Sequence, residues 1–206
     1  MNPIDKLTNL FSRLPGIGPR QAKRLVYFLL KSDNGFLLEF SENLRKLKEN
    51  VLQCRSCYRF FSSHGAQNFI CPLCSDENAD SRMMLVLEKD VDLDNFRKSS
   101  VYDGKYFVLG GTLPFLEKNP EKRIRSEAFL KEVERRVQEE GLQEIIFALS
   151  ANPEGENTAD YLQKLAGDFA NANGLKFSML GRGLSTGTEI EYSDAETLAN
   201  AFHNRT

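Results

Sequence analysis

The sequence predicts an α/β domain with a parallel sheet flanked by helices, which follows an α-helical module and a small four-cysteine module. Three observations support this order. Residues 1–53 carry apolar side chains at helical spacing, residues 54–75 contain all four cysteines, and short apolar runs alternate with helical segments from residue 82 onward. We therefore divide the chain into 1–53, 54–75, 82–178 and a last strand and helix segment, 179–206.

Composition places the chain among folded proteins without a membrane span. Hydrophobic residues make up 41% of the 206 residues and charged residues 27%, which is ordinary for a globular protein. No apolar run approaches the roughly 18–20 residues that a spanning helix needs, and the N-terminus lacks the basic and apolar segments of a secretory signal. We expect a cytoplasmic protein with reduced cysteines.

Charge is distributed unevenly along the chain. Residues 1–60 hold 11 basic and 5 acidic side chains, whereas the remainder holds 16 basic and 24 acidic ones. This asymmetry predicts that a polyanionic partner is held by the N-terminal part. Chance variation in solvated surface charge is the alternative.

The first segment with recognisable chemistry is Leu14-Pro15-Gly16-Ile17-Gly18-Pro19-Arg20. A first helix should end near Leu14, because the residue before a proline disfavours helical backbone. Gly16 and Gly18 allow a tight turn with positive φ, and Pro19 suits the first turn of a second helix. The N–H groups at that helix start could bind an anion. The pattern resembles the helix–hairpin–helix motif, which grips a nucleic-acid phosphate; an ordinary αα-corner is the alternative.

Basic side chains surround this predicted hairpin, and we expect them to contact DNA together with its two glycines. The predicted DNA-binding residues are Arg13, Gly16, Gly18, Arg20, Lys23 and Arg24.

A further helix in the N-terminal segment, after the two helices of the hairpin, is marked by one apolar stripe. Its members recur at spacings of three and four residues, as on one helical face. We expect this stripe to be core and not a binding surface. The stripe consists of Phe36, Phe40, Leu44, Leu47 and Val51.

The four cysteines form two C-x2-C pairs, Cys54 with Cys57 and Cys71 with Cys74. Each pair can place two thiolates on one metal ion, and four thiolates in a tetrahedron suit a structural Zn²⁺. A rubredoxin-like iron site fits the same spacing. His64 lies between the pairs and is expected to be an exposed loop residue. We predict one structural zinc per chain.

The α/β segment contains four short apolar runs separated by helical stretches, which favours a parallel sheet. The predicted strands are Met83–Leu87, Tyr106–Leu109, Glu144–Leu149 and Leu175–Leu180. Between the second and third, Phe129, Leu130, Val133 and Val137 lie on one face of a predicted helix.

In their order these motifs resemble the bacterial RecR family of recombination mediators over nearly the whole chain. Further family-like stretches are Gly104–Gly111, Asn152–Ala159 and Glu191–Leu198; Phe107 departs from the family by replacing a usual histidine, and Thr112–Phe115 replaces a Ser-Pro-Leu stretch. The resemblance implies a Toprim fold for about residues 82–178, and a bacterial, nucleoid-associated protein. It further implies a homo-oligomeric dimer or tetramer ring, with residues 179–206 in oligomerisation, that clamps DNA with RecO and RecF as partners.

Catalytic Toprim enzymes hold Mg²⁺ with a Glu after the first strand and an Asp-x-Asp pair after a later one. Here Glu88 occupies the first position, but Ser150-Ala151-Asn152 follows the later strand without an aspartate pair. We expect no catalytic residues. A weak Mg²⁺ site could form from Glu88, Asp92, Glu154 and Glu156, and a solvated acidic loop is the alternative.

Three functions are compatible with these motifs. The first is a non-enzymatic DNA-binding mediator of recombinational repair. The second is a Mg-dependent Toprim nuclease or primase-like enzyme, which the missing Asp-x-Asp pair disfavours. The third is a zinc-stabilised interaction hub that never contacts DNA.

Overall fold

A computed structural model of the chain describes residues 2–64, 68–181, 184, 187, 189–193 and 195–203. The chain divides into two compact units, Met1–Val51 and Leu52–Thr206. Parts of the predicted segment 179–206, namely 182–183, 185–186, 188, 194 and 204–206, lie outside the described residues. Within the described ranges, no helix combines the length and apolar character that a membrane crossing requires.

The described part of the first unit contains three helices, α1 (Pro3–Phe11), α2 (Pro19–Lys31) and α3 (Asn34–Asn50). Asn2 caps α1, because its side-chain oxygen accepts hydrogen bonds from the N–H groups of Ile4 and Asp5. α1 and α2 pack against each other. Ala22 and Val26 are the buried residues of α2, so the opposite face of this helix is left to solvent.

Four members of the predicted apolar stripe lie on α3 and are exposed, so our prediction that the stripe is core is wrong for them. The fifth, Val51, begins β1 and is half-buried. Leu44 and Leu47 are each 57% exposed, and Phe36 and Phe40 are also exposed. The two phenylalanines stack on each other at 5.9 Å between ring centroids. Phe36 also makes an edge-to-face contact with Phe28 of α2 at 6.0 Å between ring centroids. In the described part of the first unit, α2 therefore covers this face of α3 only at its N-terminal end, and Leu44 and Leu47 remain in solvent.

The second unit begins with the small strands β1 (Val51–Gln53) and β2 (Phe60–Ser62), which pair with each other. The remaining strands are β3 (Asp80–Leu87), β4 (Gly104–Val108), β5 (Glu144–Ala148) and β6 (Lys176–Met179). The helices are α4 (Pro72–Ser75), α5 (Asp90–Ser99), α6 (Pro120–Arg123), α7 (Ser126–Glu140), α8 (Pro153–Asn173) and α9 (Ala195–His203), with a 3₁₀ turn at Ile190–Tyr192.

The larger sheet is parallel, with strand order β4-β3-β5-β6. In its register Leu85 of β3 faces Tyr106 of β4 and Ile146 of β5. The prediction of a parallel sheet flanked by helices is confirmed. The strand bounds match the predicted ones at Leu87 and Glu144 and differ by one to three residues at the other ends.

Alternation along β3 separates two apolar layers, because successive side chains of a strand point to opposite faces. Met84 and Val86 join the core that also contains Phe107 and Phe129. Leu85 and Leu87 join the second core with Leu93 of α5. Phe107 is fully buried between the rings of Tyr58 and Phe129, which suits an apolar side chain at this position.

Candidate metal centre and nucleic-acid interface

The turn between α1 and α2 begins where the α1 hydrogen bonds tighten. Arg13 N–H donates to the Leu10 carbonyl and Leu14 N–H to the Phe11 carbonyl. These hydrogen bonds join residues three apart, as in a 3₁₀ turn, and are common at the end of an α-helix. α1 thus ends at Phe11, three residues before the predicted end. Gly16 has a φ of +76°, which permits the reversal of the chain.

The prediction of positive φ is wrong for Gly18. Its φ is −77°, and it forms the N-cap of α2. It has no side chain that could cap the helix, and Pro19 after it has no N–H. The first intrahelical bond runs from Ala22 N–H to the Gly18 carbonyl at 2.9 Å. The N–H groups of Arg20 and Gln21 therefore have no intrahelical acceptor. A Cβ on Gly16 or Gly18 would meet nothing within 4 Å, so a phosphate has open access to this helix start.

The basic side chains of the hairpin are exposed around this helix start. Arg24 Nη1 lies 3.5 Å from Gln21 Oε1, which is a contact with a neutral amide. The ion pairs found in the described part of this unit lie on α3, between Glu42 and the cations Arg45 and Lys46. Positive charge beside the helix dipole attracts anions. The exposed cations are Arg13, Arg20, Lys23 and Arg24.

The cysteines form a compact cluster in the second unit. Cys54 and Cys57 lie on a turn closed by a hydrogen bond from Tyr58 N–H to the Cys54 carbonyl, and Cys71 is the N-cap of α4, which carries Cys74. All four sulfur atoms lie within 4.8 Å of one another. Sulfurs at about 2.3 Å from a tetrahedral ion would be about 3.8 Å apart. The Cys54–Cys74 and Cys57–Cys71 sulfur pairs are 3.8 and 3.5 Å apart.

The electrostatics of the cluster favour a bound cation. Cys71 N–H donates to Cys54 Sγ at 3.4 Å, a hydrogen bond typical of ligating thiolates. The hydrogen bond between Cys54 and Cys57 lowers the pKa of Cys54 and raises the pKa of Cys57. A bound metal ion would stabilise the thiolate form of all four cysteines. The donor set therefore fits a metal ion. His64 is exposed and does not belong to this group.

Sequence reasoning missed a buried polar network that joins the cysteine turn to α7. Arg136 is 1% exposed. Its Nε donates to Glu132 Oε1 at 2.7 Å and its Nη2 donates to Ser56 Oγ at 2.8 Å. Ser56 Oγ in turn donates to Glu132 Oε1 at 2.5 Å. The spacing of α7 could have predicted the burial of Arg136. This residue follows Phe129 by seven positions and Val133 by three, so it lies on the core-facing stripe of the helix.

Lys105 of β4 is a second buried cation that the motifs did not indicate. Its Nζ donates to the carbonyl oxygens of Cys74 at 3.2 Å and Asp76 at 2.6 Å. It thereby satisfies carbonyl groups at the C-terminal end of α4.

The acidic residues proposed for Mg²⁺ have separate structural partners. Glu88 is buried, and its Oε1 accepts a hydrogen bond from Ser150 N–H at 2.6 Å. Asp92 Oδ2 accepts from Lys89 N–H at the start of α5, and Glu154 Oε2 accepts from Thr112 Oγ1. Glu156 is exposed in the first turn of α8. Within the described ranges, the cysteine cluster is the group of three or more such side chains whose ligand atoms converge.

Comparison with known proteins matches three segments of the chain to family models. Residues 4–48 match the family model described as "RecR, helix-hairpin-helix", residues 82–180 match "Toprim domain", and residues 183–206 match "RecR, C-terminal". A curated relative from Brachyspira hyodysenteriae is 36% identical over 98% of this chain and 95% of its own length. Relatives from Dehalococcoides mccartyi and Bdellovibrio bacteriovorus are 33% and 32% identical over 98% and 100% of the chain and 93% and 97% of their own lengths. All three carry the description "Recombination protein RecR".

The chain is a Toprim protein with two further modules. These are an N-terminal helix–hairpin–helix unit, a motif of the nucleic-acid-binding type, and a four-cysteine cluster. Within this class, the chain belongs to the RecR family. The family resemblance inferred from the sequence motifs is confirmed.

Proposed function

We propose that this chain is a DNA-binding mediator of recombinational DNA repair and that its Toprim unit does not cut DNA. One observation carries the proposal. The uncapped start of α2 offers free N–H groups next to Gly18, with exposed Arg20 and Arg24 one turn apart on the same helix. Backbone donors and cations of this kind bind phosphate without reading bases. The relatives' description as recombination proteins supports the biological role.

The proposed contact uses the residues predicted from the sequence. Gly16 and Gly18 leave room for a phosphate, and the N–H groups at the start of α2 bind it. The surrounding cations neutralise neighbouring phosphates, which makes the affinity depend on salt through counterion release. They are Arg13, Arg20, Lys23 and Arg24.

We propose Zn²⁺ as the metal held by Cys54, Cys57, Cys71 and Cys74. Four thiolates in a closed tetrahedron suit a structural zinc site, and the sulfur separations fit that ion. When bound, the ion would tie β1 and β2 to α4 and supply folding energy to this small module. It would take no part in chemistry on DNA, because four protein ligands leave no open position for a substrate.

A clamp made of several chains is part of the proposal. Residues 1–60 of one chain carry too few excess basic side chains to line a channel around DNA. Several chains in a ring would place several hairpins on the same DNA and gain avidity. The exposed stripe on α3 supports association, because monomeric proteins seldom leave contiguous apolar surface in water. The family further suggests RecO- and RecF-type proteins as partners, and residues 179–206 as an oligomerisation segment.

The absence of nuclease activity in this proposal rests on the carboxylates. Asp92 caps α5 and Glu88 is bound to the Ser150 N–H, and β5 leads into Ser150-Ala151-Asn152 without an aspartate pair. Two-metal DNA cleavage needs carboxylates that share the ions. Glu88, Glu154 and Glu156 could at most contribute to weak Mg²⁺ binding.

The test is a salt titration of fluorescent DNA binding for the wild type and for the Arg20→Glu/Arg24→Glu double variant. We expect the variant to lose at least tenfold in affinity and to show a flatter dependence of log affinity on log salt. Folding should persist, because both side chains are exposed while Ala22 and Val26 hold α2 in place.

The matched control is Arg45→Glu/Lys48→Glu, which makes the same charge change at two exposed positions of α3. It should retain most of the affinity. Equal loss in both double variants would mean that only net charge matters, and unchanged binding by the folded Arg20→Glu/Arg24→Glu variant would show that the hairpin is a structural corner. In both cases the proposed contact would be wrong.

A further inference from the structure

We propose that Arg136 is a positioning residue of the metal centre, which holds the Cys54–Cys57 turn on α7 and places a positive charge beside Cys74. The inference rests on the proposed metal site and deepens it. Arg136 Nη2 donates to Ser56 Oγ at 2.8 Å and lies 4.0 Å from Cys74 Sγ. One nitrogen therefore contacts both the turn of the first cysteine pair and a sulfur of the second pair.

Charge favours a cationic hydrogen-bond donor beside a ligand sulfur, although the carboxylates of Glu132 and Glu140 share the same guanidinium group. Four thiolates around a divalent ion leave a net charge of −2 in a region where three of the four cysteines are buried. Buried charge is unfavourable unless a partner compensates for it. Lys105 donates to carbonyl oxygens of the α4 segment, whereas Arg136 reaches a ligand sulfur itself.

The guanidinium group of Arg136 is held in place by two carboxylates of its own helix. Nε donates to Glu132 Oε1 at 2.7 Å, and Nη1 donates to Glu140 Oε2 at 3.0 Å. Glu132 also contacts Ser56 Oγ, so that both members of the pair hold the cysteine turn. Because all three of its nitrogens are hydrogen-bonded, the guanidinium group has little freedom to turn away from Cys74 Sγ.

The neighbouring Arg135 provides a matched comparison on the same helix. It forms ion pairs with Glu132, Glu139 and Glu140, and its side chain is 35% exposed. Its described partners are carboxylates, and neither a cysteine sulfur nor Ser56 is among them. Removing Arg135 therefore removes a charge next to the network without removing the contact with the cysteine turn.

The experiment uses the full chain with Arg136→Met and, as the control, Arg135→Met. Elemental analysis of the wild type comes first, with one zinc per chain expected. Zinc release to an excess of chelator is then followed with a chromogenic zinc indicator, at a temperature at which circular dichroism shows every variant folded. We expect release from Arg136→Met to be roughly tenfold faster or more, as for other residues that orient metal ligands, and release from Arg135→Met to stay within about twofold of the wild type.

Cobalt substitution separates this positioning role from a general loss of stability. A hydrogen-bond donor near a ligating sulfur lowers the energy of the sulfur electrons, so its loss should move the sulfur-to-cobalt charge-transfer band to longer wavelength. The band should move in Arg136→Met and stay in place in Arg135→Met. Arg136→Lys, which keeps the charge but loses the fork, should show a smaller change in release rate than Arg136→Met.

Two outcomes would contradict the inference, and a third concerns the metal itself. Equal release rates in Arg136→Met and Arg135→Met, or an unchanged cobalt band in Arg136→Met, would overturn the role of Arg136. A wild type without any bound metal would overturn the proposed metal site, and the inference with it. If Arg136→Met does not fold, Glu132→Gln/Arg136→Met removes both buried charges and takes its place, with the same expected and contradicting results.

Discussion

The proposed phosphate contact depends at the residue scale on a side chain that Gly18 lacks. A serine, threonine, asparagine or aspartate at the N-cap would accept a hydrogen bond from the second or third N–H group of α2. Asn2 and Asp33 do this for α1 and α3, whereas Gly18 leaves the start of α2 without a side-chain cap. Of these three helices, α2 is therefore the one whose N-terminal donors stay available to an external anion.

Gly18→Ser should separate stability from DNA binding. The backbone at this residue is extended, with φ −77° and ψ 167°, and has open space around it, so that serine fits and can cap the helix. We expect the free energy of unfolding to rise by a few tenths of a kcal/mol. DNA affinity should fall about tenfold, because a lost hydrogen bond to a charged group is worth about 1.5 kcal/mol.

Urea denaturation and fluorescence anisotropy with labelled DNA measure the two effects. Asn2→Ser is the matched control, since it exchanges one good cap for another at the start of α1 and should leave DNA affinity unchanged. An undiminished affinity in Gly18→Ser would show that the N-terminal donors of α2 do not bind the phosphate.

At the scale of elements, the loop between β5 and α8 determines how closely the helix approaches the end of the sheet. A Cβ on Gly155 would lie 2.0 Å from the Ser150 carbonyl oxygen. Gly155 N–H also donates to Asn152 Oδ1 at 2.8 Å, which caps α8. The same loop contributes the Ser150 N–H that binds Glu88. The position requires glycine because two backbone segments meet there.

Gly155→Ala should destabilise the Toprim unit, whereas Gly167→Ala on the same helix should not. The first substitution forces a backbone carbonyl to move, which we expect to lower the free energy of unfolding by about 2 kcal/mol or more. The second meets nothing within 4 Å and should raise it by about 0.5–1 kcal/mol, because alanine is the better helix former. Chemical denaturation of both variants provides the comparison, and similar effects at the two positions would contradict this account of the loop.

For the whole molecule, the proposed clamp rests on exposed apolar surface and on the distribution of charge. The exposed stripe on α3 includes two leucines and two stacked phenylalanines. Residues 1–60 carry the excess of basic side chains, whereas the rest of the chain is acidic. Association through this face, as the proposed clamp requires, would cover these side chains and bring several hairpins together.

Light scattering should therefore give a solution mass that is a multiple of 23.4 kDa, a dimer or a tetramer. Leu44→Glu/Leu47→Glu should lower the mass toward the single chain, since four or more charges would be forced into an apolar interface. Asn43→Glu/Asn50→Glu adds the same charge at exposed polar positions of α3 and should keep the wild-type mass. A wild type that remains monomeric at micromolar concentration, with and without DNA, would rule out the clamp.

The hairpin and the cysteine cluster could be predicted because their geometry depends on residues close together in the chain. Pro15, Gly16 and Pro19 determine a turn and a helix start through their own backbone restrictions. The C-x2-C spacing brings two sulfurs together within one tight turn, and the parallel sheet follows from short apolar runs with helices between them. Each of these features was readable without knowledge of distant contacts.

Tertiary structure alone decided which polar side chains are buried and which apolar ones are left exposed. Ser56 lies 76 residues from Glu132 and 80 from Arg136, so that local spacing shows Glu132 and Arg136 only as an ordinary i,i+4 pair of the kind found on helix surfaces. The stripe on α3 has the spacing of a core face, yet its burial depends on whether another element packs against it. Periodicity defines a face of a helix, and only the packing of the chain determines what covers that face.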